Sequence, residues 1–381
     1  MSSQRRPELD AMRGLMLVWI ALTHLPTAAS TYVNQPFGFV GAAEGFIFLS
    51  ALFTGRIYFR LAYHDGYAKM VGKLWSRTVR LYGYHALLLA FAFLVAVPIA
   101  SHGDRPGLHN LLDFYFMAGP KQAITEAALL IYRPPLLDIL PMYIIFLAET
   151  SVVIPLARRI GWKPILWTSF AFWVLAQFGF RAAEHNFMMH YIPTAIPVHE
   201  MGSFDLWAWQ FLWFVGVWLG VRWAQDDLPI EQWARWAIIP ASATAILCFI
   251  LRQKVIHGLD LGASEFLFDK WHLGPIRALN FAAVAALLIV SQRVTRILAI
   301  KPLVLLGQSS LQVFCVHLLF VFAGLTLMGN ASMLNGWRQT ALITVTFAAM
   351  FITAKVFSKS EAKHEPQRKN PQIPYRARLA A

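Results

Sequence analysis

Glu8-Leu-Asp-Ala-Met-Arg-Gly-Leu-Met-Leu-Val-Trp-Ile-Ala-Leu-Thr-His24 opens with charged residues and then runs apolar from Gly14 to Ala21 and beyond. A run of this kind is a helix in lipid, and its charged lead marks one face of the bilayer. Arg13 and His24 are eleven positions apart. At about 100° per residue they return to within about 20° of one another, on one stripe and about 16 Å apart along the axis. Asp10 falls near the same stripe. With Arg13 at the inner edge of an apolar layer about 30 Å thick, His24 stands just past the middle, where an ionisable group is costly and by default functional. Read from the residues alone, His24 is either a core histidine bonded to a neighbour or a reactive imidazole.

The rest of the chain fits that setting. It is 57% hydrophobic and 14% charged, with a mean hydropathy of +0.52, against roughly 25% charged in soluble domains. Apolar runs long enough to span occur at 14–30, 37–59, 81–101, 137–157, 164–182, 205–223, 236–252, 276–292, 303–327 and 339–357. The expected fold is therefore all-α, a polytopic integral membrane protein of about ten transmembrane helices in one domain, 1–357, followed by a basic, disordered cytoplasmic tail, 358–381. The net charge of +13 does not point to nucleic acid, because most of the 33 basic residues fall on one side of this topology. That bias places both termini in the cytoplasm. A cleaved signal peptide would remove His24, and Glu8 and Asp10 sit awkwardly in its basic region.

Within the connections, the inner segment 60–80 carries Lys69, Lys73, Arg77 and Arg80, which read either as topology signals or as a phosphate clamp. The outer segment 102–136 contains an apolar piece, Leu111 to Met117, that could lie along the membrane surface. Asp138 opens the next span as an interface residue or a substrate contact, and Glu149, halfway along it, requires a partner. The histidines of 183–204 have no ligand spacing, so no metal is expected. Cys248 and Cys315 lie in apolar runs and read as packing residues.

Four passages together resemble the membrane acyltransferase family 3, in its OpgC branch of glucan succinyltransferases. They are Glu8 to His24, Phe37-Gly-Phe-Val-Gly-Ala-Ala-Glu-Gly-Phe-Ile-Phe-Leu-Ser50, Phe204-Asp-Leu-Trp-Ala-Trp-Gln210 and Leu306-Gly-Gln-Ser-Ser-Leu-Gln-Val-Phe-Cys-Val-His317. Ala51 and Asp205 depart from the branch, where Gly and Asn are commoner. The resemblance implies a membrane O-acyltransferase of the bacterial inner membrane, which moves an acyl group, succinyl by analogy, from a cytoplasmic acyl-CoA to hydroxyls of a periplasmic or surface glucan. Transfer of another acyl group to a different polysaccharide is the neighbouring reading, and a transporter or flippase built on the same buried charges is the competing one.

On that resemblance His24 is the general base, with two further catalytic groups, Glu44 as its orienter or a contact to the acceptor hydroxyl and His317 as a second contact to the oxyanion or acceptor. Arg13, Arg77 and Arg80 would hold the donor phosphates, and Asp10, Asp138, Asp205 and Gln210 would contact the acceptor. Helix rise supports the grouping. Counted from the helix ends at 1.5 Å per residue, Glu44, His24 and His317 lie about 10, 14 and 8 Å below the outer edge.

Overall fold

The computed structural model describes residues 7–192, 194–227, 232, 235–254 and 262–364. Among these, all regular structure is helical, apart from one isolated bridge between Thr27 and Leu334. The principal helices are α1 (Pro7–His24), α2 (Ala42–Asp65), α3 (Tyr67–Phe91), α4 (Ile139–Ile160), α5 (Trp162–Gln177), α6 (Leu206–Ala224), α7 (Ile238–Arg252), α8 (Pro275–Val290), α9 (Lys301–Gln308), α10 (Ser310–Met328) and α11 (Gly336–His364).

Six helical stretches among the described residues are long and apolar enough to cross a membrane: Ala42–Asp65, Tyr67–Ser101, Ile139–Ile160, Val198–Ala224, Ser310–Met328 and Gly336–Ser358. The expected ten are not reached by that measure, for reasons visible in each remaining helix. α1 holds Glu8, Asp10 and Arg13 in its first two turns. α5, α7 and α8 have only 16, 15 and 16 residues. The apolar run 303–327 is interrupted at Ser309, so α9 forms separately and α10 alone supplies the span counted there.

Two further expectations change. Segment 60–80 is helix rather than loop, broken only at Gly66, whose φ of 87° favours glycine. A buried stripe of Met70, Leu74, Thr78, Leu81 and His85 carries α3 straight through the basic residues. Segment 102–136, expected as a loop with one apolar piece, forms short helices packed onto the bundle. Leu108 and Phe114 are buried, Tyr115 stacks on Phe93 at 5.2 Å, and the Ala128 carbonyl accepts from the Tyr82 hydroxyl at 2.8 Å. At the other end, α11 continues to His364, past Phe357. The expected tail beyond it, 365–381, lies outside the described residues, as do Arg5 and Arg6.

The helices that carry the site are fixed by backbone-to-backbone packing. A Cβ at Gly220 would collide with the Leu52 carbonyl, and one at Gly55 with the Val217 carbonyl, so α2 and α6 lie against each other with no side chain between them. α1 crosses α9 in the same way, Gly14 on Leu303 and Gly307 on Asp10. In lipid, where apolar burial does little to bring helices together, such close approach is a main source of association. Gly220→Ala is expected to destabilise the purified protein by about 1–3 kcal/mol. Gly72→Ala, on an open face of α3, is expected to be neutral or stabilising by up to about 1 kcal/mol. Thermal unfolding in detergent compares the two.

Candidate active site

α1 ends on His24 and delivers its imidazole to α10, where Nδ1 lies 3.2 Å from Nε2 of His317. The rings stack at 5.5 Å between centroids. His317 is buried at 1% exposure. His24 is half-buried. One hydrogen shared between two imidazoles fixes complementary tautomers. When His24 donates from Nδ1, His317 accepts at Nε2, and His24 Nε2 is left as a lone-pair base at the accessible edge of the pair. Below His317 an aromatic wall descends through Phe314, at 4.8 Å, to Phe46 and Tyr143.

Glu44 sits in the first turn of α2. Its Oε2 accepts from the Gly41 backbone N–H at 3.0 Å, and its Oε1 takes the Nε–H of Arg277 from α8. Both residues are essentially inaccessible, at 0% and 1%. The hydrogen bond to His24 thus comes from His317, while Glu44 is committed to Arg277. Arg277 was visible in the sequence only as one outer basic residue. The signal that could have found it is the requirement that a carboxylate inside a membrane helix have a cation. Glu149, by contrast, is exposed on α4 with no hydrogen bond or ion pair among the described residues.

The predicted donor residues separate. Arg13 is half-buried, donates to Ser310 Oγ at 2.5 Å and lies 5.4 Å from the Phe53 ring. Arg77 is half-buried on α3, and the charges of Arg13 and Arg77 both reach the Tyr143 hydroxyl. Arg80 is exposed.

The predicted acceptor residues are occupied within the protein. Asp138 accepts from the Ser203 N–H at 2.8 Å. Asp205 caps α6, its Oδ1 accepting from the N–H groups of Trp207 and Ala208 at 2.8 and 3.3 Å. Gln210 bridges α5 and α6 through both oxygens of Ser169. Asp10 is buried where α1 crosses α9, about 21 Å along α1 from His24 at 1.5 Å per residue.

Against the start of α6 lies the turn Asp269-Lys270-Trp271-His272. The Trp271 carbonyl accepts from Asp205 N and Trp209 Nε1, both at 3.0 Å. His272 bonds to Asp269 through Nδ1 and stands 3.8 Å from Asp205 through Nε2. No cluster of three His, Cys, Asp or Glu capable of holding a metal occurs among the described residues.

The model of the OpgC protein family matches residues 5–362, nearly the whole chain. The chain belongs to that family, and membership carries the coarse assignment of an acyl-group transferase. No curated protein and no solved structure matches it.

Two outcomes follow from this geometry. Removing one member of a buried ion pair strands the other, at a cost of about 3–5 kcal/mol. Arg277→Met is therefore expected to destabilise by that amount, and Glu44→Gln combined with Arg277→Met by clearly less, when unfolding of both is compared in one detergent. The second concerns His272, whose pKa is raised above its ordinary 6.5 by the hydrogen bond to Asp269. A raised folded pKa gives stability that is complete below about 6.5 and is lost as pH rises through the folded value. The wild type is expected to lose thermal stability on that upward titration, relative to His272→Gln.

Proposed function

We propose, with membership of the OpgC protein family as the premise, that this chain transfers an acyl group, succinyl by preference, from a cytoplasmic acyl-CoA to hydroxyls of a periplasmic or surface glucan, with His24 as general base. The setting is the bacterial inner membrane, with both termini cytoplasmic. The observation that carries the reading is the His24–His317 pair: a half-buried imidazole held by a fully buried one, with Nε2 left open.

In this reading the acceptor hydroxyl loses its proton to His24 Nε2 as its oxygen attacks the thioester carbonyl. The C–S bond breaks, the thiolate departs on CoA, and the proton on His24 returns to it. His317 acts through His24. By accepting the Nδ1 hydrogen it fixes the ring and the tautomer, the part an orienting carboxylate plays in other base pairs. Because Glu44 is neutralised by Arg277, its contribution is to set the position of the outer end of α2 and the charge balance around the imidazoles. Arg13 and Arg77, together below the aromatic wall, would meet the donor phosphates, leaving the pantetheine arm to run up α1 toward His24.

An amide cannot accept a proton as imidazole does. His24→Asn should therefore fold, bind acyl-CoA and lose transfer by about 10²–10⁴-fold, the usual weight of a positioned base. The check is acyl-CoA binding and glucan acylation measured on the same purified sample. Wild-type rates of acylation by His24→Asn would remove the assignment. Loss of donor binding together with folding would make His24 a core residue.

A further inference from the structure

Arg277 uses its donors unevenly. Nε serves Glu44, Nη1 reaches the Phe268 carbonyl at 3.4 Å, and Nη2 is buried with no partner among the described residues. Residue 41, beside Nη2, is glycine and sets no side chain against the guanidinium. A Cβ there would lie 3.6 Å from Nη2 and 3.3 Å from Glu44 Oε2. An unmade hydrogen bond on a buried guanidinium costs more than one on a neutral group, so this N–H favours an acceptor that also carries negative charge.

A second cation faces the same place. Lys270, in the turn that leads into α8, is half-buried, and no carboxylate lies within ion-pair distance of it among the described residues. Its Nζ rests 4.5 Å from the Trp271 ring. Its charge reaches Glu44, Arg277 and Asp138, and also His24. Around the outer end of α2, then, two cations stand against the one carboxylate that is paired there, while Asp138 is engaged by the Ser203 N–H. Burial depresses the pKa of Lys270 below its ordinary 10.5, and an anion placed beside it would oppose that shift.

We propose that Lys270 and the free Nη2 of Arg277 receive the terminal carboxylate of a dicarboxylic acyl group carried by the donor, and so select that group over an uncharged acyl. This rests on the acyl-transfer reading. A thioester carbonyl at His24 directs its acyl chain toward these two cations, and the carboxylate at its end supplies the missing acceptor. Lys270 and Arg277 are then specificity residues, with Glu44 holding the guanidinium at the angle that presents Nη2.

The probes are succinyl-CoA and acetyl-CoA in transfer assays, and the non-transferable thioether analogues of both in binding assays, using full-length protein in detergent. Wild type should bind the succinyl analogue at least tenfold more tightly than the acetyl analogue. Lys270→Met should reduce that preference by at least tenfold, and Lys270→Arg should retain most of it. The ratio of kcat/KM values for the two donors should move with the binding ratio. Equal affinity of wild type for the two analogues would overturn the proposal. So would an unchanged preference in Lys270→Met with both affinities falling together, since the lysine would then serve the fold or the CoA moiety. Binding preference without transfer of either acyl group would leave the carboxylate contact standing and count against the transferase reading alone.

Discussion

The ion pair between Glu44 and Arg277 is the constraint around which the beginnings of α2 and α8 are arranged. Each charge alone would cost several kcal/mol to remove from water, and their attraction offsets this only if the remaining lone pairs and hydrogens are also satisfied. The carboxylate meets that condition by closing the first turn of α2 on the Gly41 N–H. The guanidinium meets it only partly. One contact therefore fixes where α2 begins and how α8 docks beside it.

The His24–His317 contact depends on a different kind of order. It joins the end of α1 to the middle of α10, and the two helices are already in register lower down, where Arg13 bonds to Ser310. With the glycines that let α1 lie directly on α9, this lower contact limits the sliding that would pull the imidazoles apart. Chemistry placed on helices fixed by backbone contact is held more precisely than chemistry placed on loops. The turn at Asp269–His272 is the opposite case, held by hydrogen bonds and a titrating histidine.

What was legible in the sequence was whatever has a local period or a local cost. The apolar runs gave the helical membrane class, and the eleven-residue spacing of Arg13 and His24 put both on one stripe of α1. The basic stretch before residue 81 misled, because its charges hid the stripe from Met70 to His85 that continues α3. Tertiary pairings were not legible. Glu44 and Arg277 are 233 positions apart, and His24 and His317 are 293. Depth counting brought His24, Glu44 and His317 to one level but could not choose partners among them. Asp138, Asp205 and Gln210 looked like free polar groups at the outer edge, and only the fold shows the backbone N–H groups and Ser169 that occupy them.

The claim on which the rest stands is that His24 Nε2 is where the acceptor hydroxyl gives up its proton. The most direct test is a structure of the protein in lipid with a glucan fragment and a non-transferable thioether analogue of the donor. The account predicts an acceptor hydroxyl within hydrogen-bond reach of His24 Nε2, about 2.6–3.2 Å, with the analogue's carbonyl carbon beside that hydroxyl and the His24–His317 contact intact. A donor carbonyl and an acceptor hydroxyl that meet elsewhere, with His24 facing neither, would contradict it.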